Sequence, residues 1–250
     1  MTEWIECICC WYDLLGFGKP FIESDWQLDT VECEKNIQRI ETLQDVFWGR
    51  FSETCGKTFS LNDGVIKNRD IDYSNKHDII GMLRFIASIV WDFQNINKMD
   101  MENGYFGIRG VITCGKRFSY DSTNGLYDPL TKTDISYHPR EFQMNTAFSK
   151  AYIMEESGSG KGLKGAFLFW DKNVFEKLEE YVRKSEYSKE YNCNEYDKDE
   201  EHIFEISDKE GWIFSVFCEK NPIEYDYKGI KTKIYKMTHS RTQLGTMLFG

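Results

Sequence analysis

Hydrophobic residues near the start of the chain recur with two periods, one typical of strands and one typical of helices. Residues 4–12 (WIECICCWY) are a short apolar run of β-favouring residues that ends at Asp13 and a glycine-containing turn. This run predicts a buried strand followed by a loop. Over residues 29–51 the apolar positions return at helical spacing with charged residues between them, which predicts a long amphipathic helix.

A hairpin is predicted immediately after that helix. In residues 58–66 the tripeptide Asn62-Asp63-Gly64 separates two β-favouring flanks. This is the strongest short-range signal for a hairpin with a primed turn. Asp63 is therefore expected at or beside the tip of the hairpin.

The remaining pattern alternates between the same two periods, interrupted by polar segments. It predicts helices at residues 76–94, 141–156 and 171–184, the last capped by Asp171, and strands at 105–113, 166–170 and within 203–237. The polar segments are a long loop over 119–139, a flexible Gly/Ser/Lys linker over 157–165 and a charged surface excursion over 185–201. This order of elements predicts an α+β sandwich in which helices cover a mostly antiparallel sheet.

Composition narrows the possible partners. The chain has 31 Lys and Arg against 41 Asp and Glu, a formal net charge of −10, which argues against non-specific binding to nucleic acid or to an anionic membrane. It lacks an apolar run of about 20 residues and a basic signal-peptide start, so a cytoplasmic location is expected. The eight cysteines are expected to be free buried thiols rather than disulfides or a zinc site.

Two acidic residues are the first candidates for chemistry. Asp13 ends an apolar strand before a glycine loop, and Asp63 lies at a hairpin tip. If the two strands are neighbours, the carboxylates can share divalent cations about 4 Å apart, an arrangement that supports phosphoryl transfer. Position alone favours a structural role for both, because Asp is common at strand ends and in turns.

The sequence around these acids adds information. Four blocks occur in order: Tyr-Asp13-Leu-Leu-Gly-Phe, Phe59-Ser-Leu-Asn-Asp63, residues 108–115 (IRGVITCG) and residues 148–155 (FSKAYIME). In this order the blocks resemble the catalytic domain of class III nucleotidyl cyclases over about residues 4–184. The resemblance divides the chain into a cyclase domain, 1–184, and a β-rich C-terminal extension, 185–250, as part of the same globule.

Departures from the purine-cyclase pattern indicate a subgroup. Phe59 stands where those enzymes carry an adenine-selecting Lys, and Ser149 and Ile153 stand where they carry an Asn and an Arg that steady the transition state. Asn145 and Lys150 lie nearby as substitutes for the missing catalytic pair. With both metal-binding Asp residues retained, the chain looks like the pyrimidine cyclases of bacterial anti-phage defence, the Pycsar cyclases, which convert CTP or UTP to a cyclic nucleotide that activates a separate effector protein.

The resemblance also implies a metal site and a mechanism. Two Mg²⁺ or Mn²⁺ ions would bind to Asp13, Asp63 and the backbone carbonyl of Leu14. The ribose 3′-hydroxyl would then attack the α-phosphorus and expel pyrophosphate.

Other residues are implied in substrate binding. The backbone N–H groups of Leu15, Gly16 and Phe17 would bind the phosphates, and Lys164 would balance the charge of the triphosphate. Phe59 would stack on the base, and Arg109 would contact the nucleotide. Arg109 is as readily explained by an ion pair with a buried acid, and Phe59 by core packing. Class III sites form between two chains, so a homodimer is implied. A catalytically inactive module that binds a nucleotide or a partner protein remains the alternative.

Overall fold

The computed structural model of the protein describes residues 3–48, 56–74, 79–119, 127–128, 133–134, 142–186 and 188–243. The strands within these ranges are β1 (Glu3–Leu14), β2 (Lys57–Leu61), β3 (Gly64–Asp70), β4 (Ile108–Ser119), β5 (Tyr127–Asp128), β6 (Thr133–Asp134), β7 (Leu168–Asp171), β8 (Asn192–Lys198), β9 (Glu201–Asp208), β10 (Gly211–Glu219), β11 (Ile223–Tyr227) and β12 (Ile230–Thr242). The helices are α1 (Lys19–Glu23), α2 (Val31–Trp48), α3 (Ile79–Glu102), α4 (Thr146–Ser157) and α5 (Lys172–Lys184).

Ten strands form one mixed sheet in the order β2-β3-β1-β4-β7-β12-β10-β9-β8, with β11 paired to β12 beside this path. Of its strand pairs only β4 and β7 run parallel; each of the others is antiparallel. The expected α+β class with a mostly antiparallel sheet is therefore confirmed. Because β12 lies beside β7, the C-terminal strands continue the sheet of the first part of the chain, and a division at residue 184 stays a prediction.

Side chains of β1 alternate between two cores, because successive residues of a strand point to opposite faces. Ile8, Cys10 and Tyr12 belong to the larger core, which includes residues of α3 and α5. Cys9 and Trp11 belong to a smaller core with residues of α4 and β11. Helices thus cover both faces of the central strands, and Asp13, two residues after Trp11, lies on the α4 face.

Most predicted elements occur close to their predicted positions. The first strand, the long amphipathic helix and the helix capped by Asp171 are confirmed; Asp171 accepts a hydrogen bond from the Asn173 N–H. The hairpin predicted over 58–66 is also confirmed, and its strands extend from Lys57 to Asp70. Asn62 takes φ +53°, as the first central residue of a type II′ turn does. The predicted boundaries 49–51 and 76–78, and most of the 119–139 loop, lie outside the described residues.

Five local predictions are wrong. The helix predicted over 76–94 continues to Glu102. The helix predicted over 141–156 begins at Thr146, after Asn145 caps it, and the strand predicted over 105–113 runs from Ile108 to Ser119. The linker is not wholly flexible, since residues 158–161 form a 3-10 turn with Gly158 buried. The charged excursion contains β8, which is almost entirely exposed, because an edge strand needs backbone partners on one side only and can carry charged side chains.

Two further expectations concern α3 and the cysteines. Among the described residues one helix, Ile79–Glu102, is long and apolar enough to cross a membrane, but 72% of its most apolar window is buried in the fold. It is the central core helix of this protein. The seven described cysteines are free, and six of them are buried as predicted, while Cys193 is half-buried.

Candidate active site

Pairing between β1 and β3 brings the two predicted carboxylates to one edge of the sheet. Asp13 is opposite Gly64 in this antiparallel pair, and Asp63 is the preceding residue. The Leu14 N–H donates to the Asp63 carbonyl at 3.1 Å, so the strand end and the hairpin tip are tied together. The pairing of the strands therefore places Asp13 and Asp63 next to each other, as predicted.

A buried ion pair lies beside them. Asp13 is opposite Arg109 in the β1–β4 register, and directly opposed residues share a face of the sheet. The Arg109 Nε and Nη2 donate to Glu155 Oε1 of α4 at 2.9 and 2.6 Å, and Nη1 donates to the Leu163 carbonyl at 3.1 Å. Arg109 is therefore anchored on a carboxylate, as the ion-pair alternative predicts.

These groups line a single cavity of about 370 Å³ on the α4 face of the sheet. Its walls are Trp11, Asp13, Leu61, Asn62, Asp63, Arg109, Tyr152, Glu155 and Glu156. The lining thus combines acidic side chains with an apolar and aromatic wall to which Trp11, Leu61 and Tyr152 contribute. Such a cavity suits a ligand with a flat apolar part and an anionic part that binds to the acidic residues through cations.

Acidic groups dominate the electrostatics of this cavity. Burial, together with the nearby Glu155 and Asp63 carboxylates, raises the pKa of Asp13 to about 8, while Arg109 and Arg39 act in the opposite direction. The raised pKa therefore reflects loss of solvent first and the neighbouring negative charge second. A bound cation would relieve the repulsion between these carboxylates.

The donor set fits divalent cations that arrive with a phosphate ligand. Among the described residues no group of three His, Cys, Asp or Glu side chains is arranged to hold a metal ion. Mg²⁺, however, is usually bound through one or two protein carboxylates plus waters and substrate phosphates. The carboxylates of Asp13 and Asp63 meet that need. The Leu14 carbonyl accepts a 3.3 Å hydrogen bond from the Phe17 N–H and retains a second lone pair.

The predicted phosphate cradle is only partly available. The Leu15 N–H donates to the Gly107 carbonyl at 2.9 Å, and the Phe17 N–H donates to Leu14. Among the described residues the Gly16 N–H has no such partner. Gly16 has φ +72°, a conformation that glycine adopts at little cost.

Other predicted residues lie elsewhere. Phe59 packs against Phe142 with ring centroids 5.7 Å apart and does not line the cavity. Asn145 is 2% exposed; its side chain caps α4 through the Phe148 N–H and donates to Asn68. The Lys150 Nζ donates to the Cys114 carbonyl at 3.1 Å. Lys164 is exposed, on the loop before β7.

Six of the nine lining residues are not among the predicted site residues, and three of the six matter most for the character of the cavity. Glu155 was recognised only as a family marker, although a buried Glu opposite a strand Arg is a signal for an ion pair. Trp11 and Tyr152 have ring centroids 5.8 Å apart and form the aromatic wall. The spacing of Trp11 from Asp13 places both on one strand face, and this signal was available in the sequence.

No protein-family model matches the chain, and no curated protein matches it significantly. Several solved structures are similar over nearly the whole chain. They include the adenylyl cyclase CyaB from P. aeruginosa, with 12% identity, coverage of 98% of this chain and 100% of that one, and a TM-score of 0.47. The guanylyl cyclase Cya2 shows 11% identity, 98% and 97% coverage and a TM-score of 0.48. The guanylate cyclase domain of RhGC from Catenaria anguillulae, solved in complex with GTP, shows 11% identity, 96% and 100% coverage and a TM-score of 0.43.

Proposed function

We propose that this protein is a pyrimidine nucleotide cyclase, which converts CTP or UTP to the 3′,5′-cyclic monophosphate and pyrophosphate. One observation carries the proposal: Asp13 and Asp63 meet at a cavity with excess negative charge and an aromatic wall. Such a cavity needs cations, and cations there bind a triphosphate. The order of the four sequence blocks supplies the reaction class.

The residues of the chain have distinct roles in this proposal. Asp13, Asp63 and the Leu14 carbonyl hold two Mg²⁺ or Mn²⁺ ions, which when bound lower the pKa of the 3′-hydroxyl and neutralise the triphosphate. The Gly16 N–H donates to a phosphate oxygen, and the exposed Lys164 attracts the phosphate tail. Arg109, fixed on Glu155, limits the repulsion around Asp13.

The choice of base rests on what is missing as well as on what is present. A purine-selecting Lys is absent from position 59, and an aromatic ring there favours stacking over hydrogen bonding to adenine. Phe59 does not line the cavity of its own protomer, so its contact with a base requires the homodimer in which each site is completed by a second copy. Lys150 of α4, which is half-buried, is assigned in the same way to the neighbouring site. Asn145 is not: its side chain is buried and caps α4, so the structure leaves it a structural role instead of the predicted catalytic one.

The proposed setting is cytoplasmic signalling in bacterial anti-phage defence. A cyclic pyrimidine nucleotide is a diffusible product, and a separate effector protein would bind it. The Pycsar resemblance supports this setting.

The test is incubation of the protein with each of ATP, GTP, CTP and UTP in the presence of Mn²⁺. We expect pyrophosphate and a cyclic monophosphate from a pyrimidine substrate. Product from a purine alone contradicts the pyrimidine assignment. No product from any of the four contradicts the enzyme assignment and leaves the inactive nucleotide- or partner-binding module, which the absent family Asn and Arg favour.

A further inference from the structure

A buried polar cluster holds the loop after β1 from the side opposite the cavity. The cluster, here called the loop brace, consists of Asn36 and Arg39 of α2 and Asp100 of α3. The Arg39 Nη2 donates to the Leu15 carbonyl at 3.1 Å, and the Asn36 Nδ2 donates to the Phe17 carbonyl at 2.6 Å. Two successive turns of α2 thus hold two carbonyls of the loop.

Asp100 fixes the brace in place. It accepts from the Arg39 Nε at 2.7 Å and from Nη2 at 2.9 Å, a bidentate pair of the geometrically most specific kind. The same carboxylate accepts from the Gly107 N–H at 2.9 Å. Gly107 in turn accepts from the Leu15 N–H, so the hydrogen bonds form a closed circuit through the loop.

The circuit determines how one peptide of the loop is turned. The described chain contains no cis peptide bond, and in a planar trans peptide the C=O and the following N–H point in opposite directions. Because Arg39 draws the Leu15 carbonyl toward α2, the Gly16 N–H of the same peptide points away from α2. Gly16 is exposed, so an N–H turned away from α2 is open to a phosphate.

Burying the charged pair of the loop brace costs desolvation free energy, and packing alone does not explain its presence. The side chains of Arg39 and Asp100 are only 3% and 4% exposed, and a buried ion pair is often no more stabilising than apolar residues of the same volume. The hydrogen bond from Arg39 to the Leu15 carbonyl connects this pair to the loop.

We propose that Arg39, oriented by Asp100, is a positioning residue that turns the Leu15–Gly16 peptide so that the Gly16 N–H meets the phosphates of the substrate. This inference rests on the proposed function for its substrate. Arg39 itself touches no reacting atom. A lysine at this position keeps the charge but loses the rigid two-point grip on Asp100 and Leu15.

The kinetic test compares Arg39→Lys with Arg117→Lys. Arg117 makes an equivalent fork with Asp70 at 2.7 and 2.6 Å, away from the loop, and serves as the matched control. We expect kcat/KM of Arg39→Lys to fall on the order of 10²-fold, mainly in kcat, because misplacement of reacting groups has effects of that size. The control should stay within about threefold. Equal losses in the two variants, or no loss in Arg39→Lys, would overturn the proposal.

A second measurement does not need turnover. In the wild-type protein, tripolyphosphate added with Mg²⁺ should shift the NMR signal of the Gly16 amide, and Arg39→Lys should weaken that shift at least about tenfold in apparent affinity. Amide exchange at Leu15 should accelerate in Arg39→Lys and in Asp100→Asn, while exchange at Cys9 in the centre of β1 stays unchanged.

These readouts separate the two proposals. If the wild type makes no product but tripolyphosphate shifts Gly16 in a way that depends on Arg39, the proposed function fails and the positioning role stands. If the wild type is active and neither the Gly16 shift nor the Leu15 exchange changes in Arg39→Lys, the positioning role fails. Should Arg39→Lys not fold, Asp100→Asn supplies the same comparison.

Discussion

Two clusters of buried charge lie on opposite faces of the same central strands, and they differ in balance. On the α3 face the ammonium of Lys67 binds the carboxylate of Asp92 and the hydroxyl of Ser88. On the α4 face Asp13, Asp63 and Glu155 share a cavity in which Arg109 is the cationic member. The first cluster matches one positive charge with one negative charge, whereas the second has more acids than bases.

Under the proposed function, this difference separates a structural cluster from the metal-binding one. A buried pair of opposite charges satisfies itself and needs nothing further from solution. An excess of carboxylates in a partly buried cavity destabilises the empty protein, and groups perturbed in this way cluster at functional sites. The imbalance on the α4 face is therefore the clearest physical sign of function in this chain.

The largest effect is expected when an acid is removed from the α4-face cluster, which has more acids than bases. Asp13→Ala and Asp63→Ala should each lower product formation by at least about 10³-fold, since metal stabilisation of the reaction is worth several kcal/mol. The measurement is the rate of pyrophosphate release with Mn²⁺ and the preferred nucleotide. Asp226→Ala, an exposed acid paired with Lys231, is the control; product that survives Asp63→Ala contradicts the metal assignment.

Disrupting the Lys67–Asp92 pair on the α3 face should lower the stability of the fold and leave the chemical step unaffected. Lys67→Met leaves the Asp92 carboxylate without its ammonium partner in the core, which should cost about 3–5 kcal/mol in the free energy of unfolding. Urea denaturation at neutral pH measures this loss. At a temperature where the variant is folded, KM for the nucleotide should be near that of the wild type; a selective loss of nucleotide binding would place the Lys67 cluster in the site.

The stability of the protein should also depend on pH through the acidic cluster on the α4 face. The pKa of Asp13 is about 8 in the folded protein and 3.8 in the ordinary case, so between these values the folded state holds a proton that the unfolded state has lost. In metal-free protein this contribution to stability is present below pH 3.8, declines as the pH rises toward 8 and is constant above it. Asp13→Asn should remove that decline, as judged by urea midpoints from pH 5 to 9. A decline of equal slope in the variant would show that another group is responsible.

The smallest expected effect concerns the surface around the cavity. Lys164 is exposed, and a charge contact in water is worth about 0.2–1 kcal/mol. Lys164→Ala should therefore raise KM for the nucleotide by no more than about fivefold, with kcat unchanged. Lys231→Ala is the matched control for an exposed lysine away from the cavity. A larger effect, or one on kcat, would mean that Lys164 is buried against substrate in the working enzyme.

How far the sequence led depended on whether an interaction was local. The hairpin signal around Asn62 and the strand that ends at Asp13 arise from neighbours along the chain, and both were predicted close to their true bounds. The predicted start of α4 is several residues too early. Asn145 pairs with Arg117 in a β-bridge and caps the helix, and this pairing joins residues far apart in the sequence. The edge strand β8 was missed because its side chains are charged, and only its pairing with β9 makes it a strand.

The sequence by itself determined the α+β class, the two acids and their placement at a strand end and a hairpin tip, because periodicity and turn chemistry are written in adjacent residues. Tertiary structure decided the rest: that Arg109 is anchored on Glu155, that the Leu15 N–H is already bonded, and that Arg39 reaches the loop from α2. Each of these depends on strand register and helix packing between residues tens of positions apart. Such contacts are selected by burial and hydrogen bonding in the whole fold, and no local pattern encodes them.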